Sequence, residues 1–215
     1  MRKHQQSSRV IALAGNPNVG KSTVFNGLTG LRQHTGNWTG KTVDTAWGVC
    51  KRTELPLCLV DLPGTYSLLS HSPEEEVARD FLCFGGADGV IALCDATCLG
   101  RSLNLVLQIL ELTPHVILCV NLMDEAAKTG IRVSTEVLSD LLGVNVVGIS
   151  ARSAKDLSHL AEACERTCAE PPTPTATEYP APIEDGIRLI SEALASVNCQ
   201  GLPRRWLALR LLEGS

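Results

Sequence analysis

Residues 15–22 read Gly-Asn-Pro-Asn-Val-Gly-Lys-Ser, with the spacing G-x-x-x-x-G-K-[ST] that lets a backbone loop wrap a polyphosphate. Gly15 and Gly20 permit the tight path and its close approach to phosphate, while successive N–H groups and a helix start face the anion. On this reading Gly15, Asn16, Pro17, Asn18, Val19, Gly20, Lys21, Ser22 and Thr23 bind the nucleotide. Lys21 neutralises the β and γ phosphates, and the Ser22 hydroxyl goes to Mg²⁺. A chance glycine turn is the bland alternative, and an apolar run before the loop with a helical pattern after it speaks against that. Asp61, Leu62, Pro63 and Gly64 form a second group. There Asp61 is placed to hold the magnesium shell and the Gly64 N–H to touch the γ phosphate. Asn121, Leu122, Met123 and Asp124 form a third. The Asp124 carboxylate can accept two hydrogen bonds from the N1–H and exocyclic amine of guanine, and adenine offers no such donor pair. Ser150, Ala151 and Arg152 make a weaker fourth motif, suited to a backbone contact with the guanine oxygen.

The surrounding pattern must position these groups. The apolar run at residues 9–15 is read as a buried strand, 21–28 as a helix and the polar stretch 31–42 as a loop. Strands are expected at 43–52 and 55–61, joined as a tight hairpin through Thr53 and Glu54. Ser72, Pro73 and Glu75 start a helix, as cap, first-turn proline and capping-box acid. Strands at 89–95, 115–121 and 144–150 then alternate with helices at 99–112, 133–142 and 155–169. That alternation implies an α/β fold, a P-loop GTPase with a mostly parallel six-stranded sheet, one antiparallel strand, helices on both faces and a short C-terminal helical segment. The domain expectation is 1–170 for the nucleotide-binding unit, a proline-rich linker at 171–182, and a partial or truncated helical subdomain at 183–215.

The chain has 215 residues and a formal net charge of −4, which argues against nucleic acid as a partner. Residues 1–8 are polar and basic and lack the apolar core of a signal peptide, and no run reaches the ~18–20 apolar residues of a membrane helix. A soluble, cytoplasmic piece is therefore expected. Of nine cysteines, Cys94/Cys98 and Cys164/Cys168 are four apart. Two sulfurs do not complete a metal site, so core packing is the plainer reading. Trp47 reads as strand packing, Glu74, Glu75 and Glu76 as a solvated helix start favoured by the macrodipole. The five histidines show no ligand spacing.

Four motifs in this order define the translation-factor-related class of GTPases. The finer pattern comprises Phe25-Asn26-x-Leu28-Thr29-Gly30, Gly36-Asn37-Trp38-x-Gly40-x-Thr42-Val43, the run Asp-Leu-Pro-Gly-Thr-Tyr-Ser-Leu at 61–68, and Ser72-Pro73-Glu74-Glu75. It resembles the cytosolic G domain of the bacterial ferrous-iron transport protein B family, FeoB, over about residues 10–169. The resemblance implies a first switch at 31–44, with Gly40, Lys41, Thr42, Val43 and Asp44 at the nucleotide and Thr42 binding Mg²⁺ alongside Ser22 and Asp61. The second switch would span about 61–76. Asn18 matches the asparagine that helps hold K⁺ in this family, with backbone carbonyls near Gly36 and Trp38 completing the cage. Lys21, Asn18, Thr42 and Gly64 would then be the catalytic set. Leu122 stands where most GTPases carry a lysine, and Thr65 where Ras-like proteins carry the water-orienting glutamine, so intrinsic hydrolysis should be slow.

The resemblance further implies GTP and GDP as ligands, Mg²⁺ and K⁺ as cofactors, and the membrane-embedded portion of a transporter as partner at the cytoplasmic face of the bacterial inner membrane. It leaves a homo-oligomer open. A stand-alone potassium-dependent GTPase of ribosome assembly or tRNA modification is the alternative, opposed by the acidic balance and the lack of a basic tail. A nucleotide-gated binding module with incidental hydrolysis is a third reading.

Overall fold

The computed structural model describes residues 8–30, 34–37, 44–53, 56–69 and 72–214, with the backbone alone for 34–37 and Asp44. Seven strands form one sheet: β1 (Arg9–Gly15), β2 (His34–Asn37), β3 (Asp44–Val49), β4 (Leu57–Asp61), β5 (Gly89–Asp95), β6 (Val116–Asn121) and β7 (Asn145–Gly148). Their spatial order is β2-β3-β4-β1-β5-β6-β7. β1 pairs in parallel with β4 and β5, and β6 in parallel with β5 and β7. β3 is antiparallel to both β4 and β2, so it alone runs against the other six. The six expected strands are present, one of them, β3, reversed. The seventh, β2, falls inside the stretch read as a loop.

The helices are α1 (Lys21–Thr29), α2 (Pro73–Phe84), α3 (Leu99–Leu112), α4 (Met123–Lys128), α5 (Thr135–Leu142), α6 (Ala154–Ala169), α7 (Ala181–Ala193) and α8 (Arg204–Glu213). Each sheet face carries its own core. On one, Phe25 and Leu28 of α1 and Leu157, Leu160 and Cys164 of α6 close over Ile11, Leu13 and Ile91. On the other, Ala78 and Phe81 of α2 and Leu105 and Ile109 of α3 close over Ala12, Val90 and Leu118. The central strands β1, β5 and β6 are buried along almost their whole length, as parallel strands covered on both faces must be. A smaller cluster of Ile187, Ala208 and Leu209, with Tyr179 and Ile190 against it, joins α7 to α8.

Helix starts follow local chemistry. The Ser72 hydroxyl accepts from the Glu75 N–H with Pro73 in the first turn, as expected. Ser134 and Ser153 cap α5 and α6 in the same way. Two expectations are corrected. Trp47, read as strand packing, lies in β3 but is 43% exposed. β3 ends at Val49 and β4 begins at Leu57, so their link is not a two-residue turn at Thr53 and Glu54. Arg52 lies in that link and donates to the Gly27 and Ala154 carbonyls, clamping α1 to α6. Five of the nine cysteines (Cys50, Cys94, Cys119, Cys164 and Cys168) are buried and all nine are free. No metal-binding group of three or more His, Cys, Asp or Glu occurs among the described residues, and none of the described helices is long and apolar enough to cross a membrane.

Candidate functional site

At the C-terminal end of β1 the chain turns through Asn16, Pro17 and Asn18 into α1. Asn18 takes a left-handed φ of 67° and Gly20 one of 85°. A Cβ on Gly20 would sit 2.4 Å from Asn121 Nδ2, so glycine is required there twice over, for its φ and for space. The turn lines a cavity of about 430 Å³ together with Gly20, Lys21, Ser22, Thr23 and Gly64. The sequence separated Gly64 from this loop by more than forty positions. The fold places it so close that an added Cβ would be 3.1 Å from Pro17 Cα. Two main-chain bonds make that approach: Leu62 N–H to the Leu13 carbonyl and Thr65 N–H to the Gly15 carbonyl, each 3.1 Å.

Asp61 ends β4 beside the same cavity. Its Oδ1 accepts from Lys21 Nζ at 2.6 Å, and its Oδ2 lies 3.5 Å from Ser22 Oγ. A carboxylate and a hydroxyl thus converge with an ammonium group between a phosphate-loop backbone and a helix start. That donor set fits a hard, oxygen-seeking divalent cation held next to a polyphosphate.

A second, smaller cavity of about 90 Å³ adjoins the first, lined by Gly20, Thr23, Asn121, Leu122, Asp124, Glu125, Ser150, Ala151 and Arg152. Gly20 and Thr23 belong to both. The third motif does not simply end its strand. Leu122 adopts a left-handed φ of 63° and caps α4, which puts Asp124 in the first turn of that helix. Asp124 Oδ1 accepts from Ser150 Oγ at 2.8 Å. That hydrogen bond is the main reason the carboxyl lies below its ordinary range, with Lys128 helping. An ionised carboxylate is what a guanine edge needs. Met123 instead packs into the core, and Gly15, Val19 and Leu62 are buried behind the loop rather than lining either cavity.

Asn121 joins the two cavities. It is fully buried; its Nδ2 donates to the Val19 carbonyl at 3.0 Å and its Oδ1 accepts from the Ala151 N–H at 3.1 Å. One amide therefore pins the phosphate loop to the fourth motif. Sequence reasoning missed three further supports. Asp156 Oδ2 accepts from the Ser150 N–H at 2.9 Å, and the Ser153-x-x-Asp156 capping pattern was the signal for it. Asn16 Nδ2 donates to the Arg101 carbonyl, and the Arg101 guanidinium stacks over Tyr66 at 4.5 Å. Glu125 lines the second cavity with no motif to announce it.

Thr65 is 2% exposed, and its hydroxyl donates to the Ser67 carbonyl at 2.6 Å and lies 3.3 Å from Glu75 Oε1. It is engaged behind the loop and does not line the phosphate cavity. Of the potassium set, Asn18 lines that cavity, whereas Gly36 lies in the edge strand β2, paired with Thr45. Trp38, Gly40, Lys41, Thr42, Val43 and the side chain of Asp44 lie outside the described residues.

Thr177 and the C-terminal helices α7 and α8 are tied to α3 through Arg205. Its guanidinium bonds both oxygens of Glu184 on α7 at 2.8 Å, the Thr177 carbonyl at 2.8 Å, and Glu111 of α3 at 3.2 Å. Burial pushes the Glu111 carboxyl up while Arg205 pulls it down, and Arg205 holds Glu184 down at about 2.

Comparison with known proteins places these features in a family. A family model described as ferrous iron transport protein B matches residues 9–164, and one described as the FeoB cytosolic helical domain matches residues 179–215. The Fe(2+) transporter FeoB of Salmonella typhimurium strain LT2 is 39% identical over 211 residues, which are 95% of this chain and 27% of that protein. The Escherichia coli K12 transporter gives the same figures. This chain thus spans about a quarter of the length of these curated relatives. The solved cytosolic domain of the T. maritima FeoB iron transporter in GDP form superposes with a TM-score of 0.91 at 37% identity, covering 97% of this chain and 81% of that one. Its GMPPNP form gives 0.91 and 37%, covering 96% and 82%. The L. pneumophila FeoB cytosolic domain gives 0.87 at 32% identity, covering 96% and 82%.

Proposed function

Because this chain belongs to the ferrous iron transport protein B family, and its fold is that of the family's P-loop G domain, we propose that it is the GTP-binding and GTP-hydrolysing switch of a ferrous iron transporter. The carrying observation is the pair of adjoining cavities pinned by Asn121, one shaped for a polyphosphate and one presenting an ionised carboxylate to a base. On this reading the N–H groups of the 15–22 loop and Lys21 bind the phosphates. Asp124 accepts from the guanine edge, and the Ala151 region meets the guanine oxygen. The Gly64 N–H contacts the γ phosphate, so the 61–69 segment senses its presence.

Ser22, Asp61 and Thr42 would hold Mg²⁺, which supplies positive charge to the β and γ phosphate oxygens. Asn18, with carbonyls near Gly36 and Trp38, would hold K⁺, which supplies the charge that an arginine finger gives elsewhere. Thr65 is bonded to Ser67 and Glu75 and is too short for the role of a water-orienting glutamine, which supports slow intrinsic turnover. The switch segments would relay nucleotide state to a membrane-embedded portion at the cytoplasmic face of the bacterial inner membrane, with α7 and α8 as the adjoining elements.

Two measurements test this. Nucleotide binding by wild type should prefer guanine over adenine. Asp124→Asn, which exchanges an acceptor for a donor, should shift preference from GDP towards XDP; an unchanged preference removes Asp124 from base recognition. Steady-state GTP hydrolysis should be faster in K⁺ than in Na⁺. Equal rates, or full K⁺ stimulation in Asn18→Ala, remove the potassium site.

A further inference from the structure

The segment after Gly64 has no strand or helix to supply its hydrogen bonds. Residues 62–69 are irregular, yet Leu68 is 1% exposed and sits in the core under α2 and α3. A buried main-chain N–H needs a partner. For Leu68 that partner is a side chain: its N–H donates to Gln108 Oε1 of α3 at 2.7 Å. The same oxygen accepts from Ser67 Oγ at 3.1 Å, and Ser67 Oγ in turn accepts from the Leu69 N–H at 3.0 Å. Upstream, the Thr65 N–H is fixed to the Gly15 carbonyl. The short stretch from Thr65 to Leu68 is therefore held at both ends. One end is fixed to the strand that feeds the phosphate loop, the other to one oxygen of one glutamine forty residues away. Gly64 stands immediately before it, packed close to Pro17 in the wall of the cavity.

We propose that Gln108 is a positioning residue for the phosphate response, fixing the 65–68 stretch so that the Gly64 N–H is presented to the γ phosphate. It touches neither nucleotide cavity, so it acts through the main chain of its neighbours. The chemistry it needs is narrow: a hydrogen-bond acceptor at Oε1, able to take an N–H and an O–H together. Among the described residues both bonds go to Oε1 rather than to the amide nitrogen, so a carboxylate there can do the same work. The helix offers a rigid base for it, since the next residue, Ile109, is fully buried against the sheet.

The inference rests on the GTPase reading, and its test separates the two. Three chains are compared: wild type, Gln108→Leu, which keeps bulk and deletes the acceptor, and Gln108→Glu, which keeps it. Amide hydrogen exchange at Leu68, GDP affinity and kcat for GTP are measured for each. In Gln108→Leu, Leu68 exchange should accelerate and kcat should fall about tenfold, which is about 1.4 kcal/mol and within the range of one buried hydrogen-bonding group. GDP affinity should stay within about twofold, because GDP has no γ phosphate. Gln108→Glu should restore both exchange protection and kcat. The proposal is overturned if Gln108→Leu keeps wild-type exchange and kcat, or if kcat, GDP affinity and melting temperature fall together and the glutamate variant rescues none of them. A wild-type chain that turns over no GTP defeats the GTPase reading instead, while Leu68 exchange still decides whether Gln108 holds the segment.

Discussion

Asn121→Ala should be the most damaging single truncation at this site. Its amide makes two bonds, to the Val19 carbonyl and from the Ala151 N–H, in a position with no solvent exposure. Val19 is 3% and Ala151 8% exposed, so water does not readily replace the lost partner at either. Leaving a buried donor or acceptor unpaired costs about 1–3 kcal/mol each. The two together should cost roughly 2–6 kcal/mol, a large share of the roughly 5–15 kcal/mol of a typical domain. With an m-value of about 2 kcal/mol per M, the urea midpoint should drop by about 1–3 M. Asn121→Asp separates the two halves, because it keeps an acceptor for Ala151 but turns a second acceptor on the Val19 carbonyl; it should rescue little. Urea unfolding followed by circular dichroism gives the midpoint, and titration with a fluorescent GDP gives the affinity, which should weaken in both variants. An Asn121→Ala chain with an unchanged midpoint and unchanged GDP affinity would falsify the claim that this amide ties the two cavities together.

Three further outcomes are expected. Ser150→Ala removes the main group holding the Asp124 carboxyl below its ordinary range, and a depressed carboxyl loses its charge only as pH falls through the folded value. Guanine-nucleotide binding should therefore fail at a higher pH in the variant than in wild type, as read by GDP titrations from neutral to acid pH. Arg205→Ala strands the Glu111 carboxylate, whose side chain is only 8% exposed, and should lower stability by about 1–3 kcal/mol; Arg205→Lys should not rescue it, since one ammonium cannot reproduce the fork to Glu184 together with Glu111 and Thr177. Thermal melts measure this, and a lysine variant as stable as wild type would argue against the fork. Gly20→Ala meets a left-handed φ and a Cβ 2.4 Å from Asn121 Nδ2, so it should weaken GDP binding as well as stability.

Short-range chemistry was legible in the sequence and long-range pairing was not. The phosphate loop, the Ser72 cap and the buried strands announce themselves within a few residues of apolar run or glycine spacing. β2 did not, because His34-Thr35-Gly36-Asn37 has no apolar alternation and is a strand only through its pairing with β3. α4 was hidden because it is only six residues long and its first two, Met123 and Asp124, belong to the third motif. Within the site, the motifs gave the residue types that meet the ligand. The contacts that hold them in place escaped, because Asn121, itself named as a motif residue, reaches Val19 across 102 positions and Gln108 reaches Leu68 across 40. No periodicity encodes such a contact. Asp156 escaped as well, although its capping pattern with Ser153 is local and was a readable signal.

The lone reversed strand has a consequence for association. β2 covers the outer edge of β3, which carries exposed Trp47 and Val49. Without β2, the outer row of β3 main-chain donors and acceptors would be bare. A bared edge of that kind is a template for another strand. In this fold β2 thus serves as a sheath for the β3 edge.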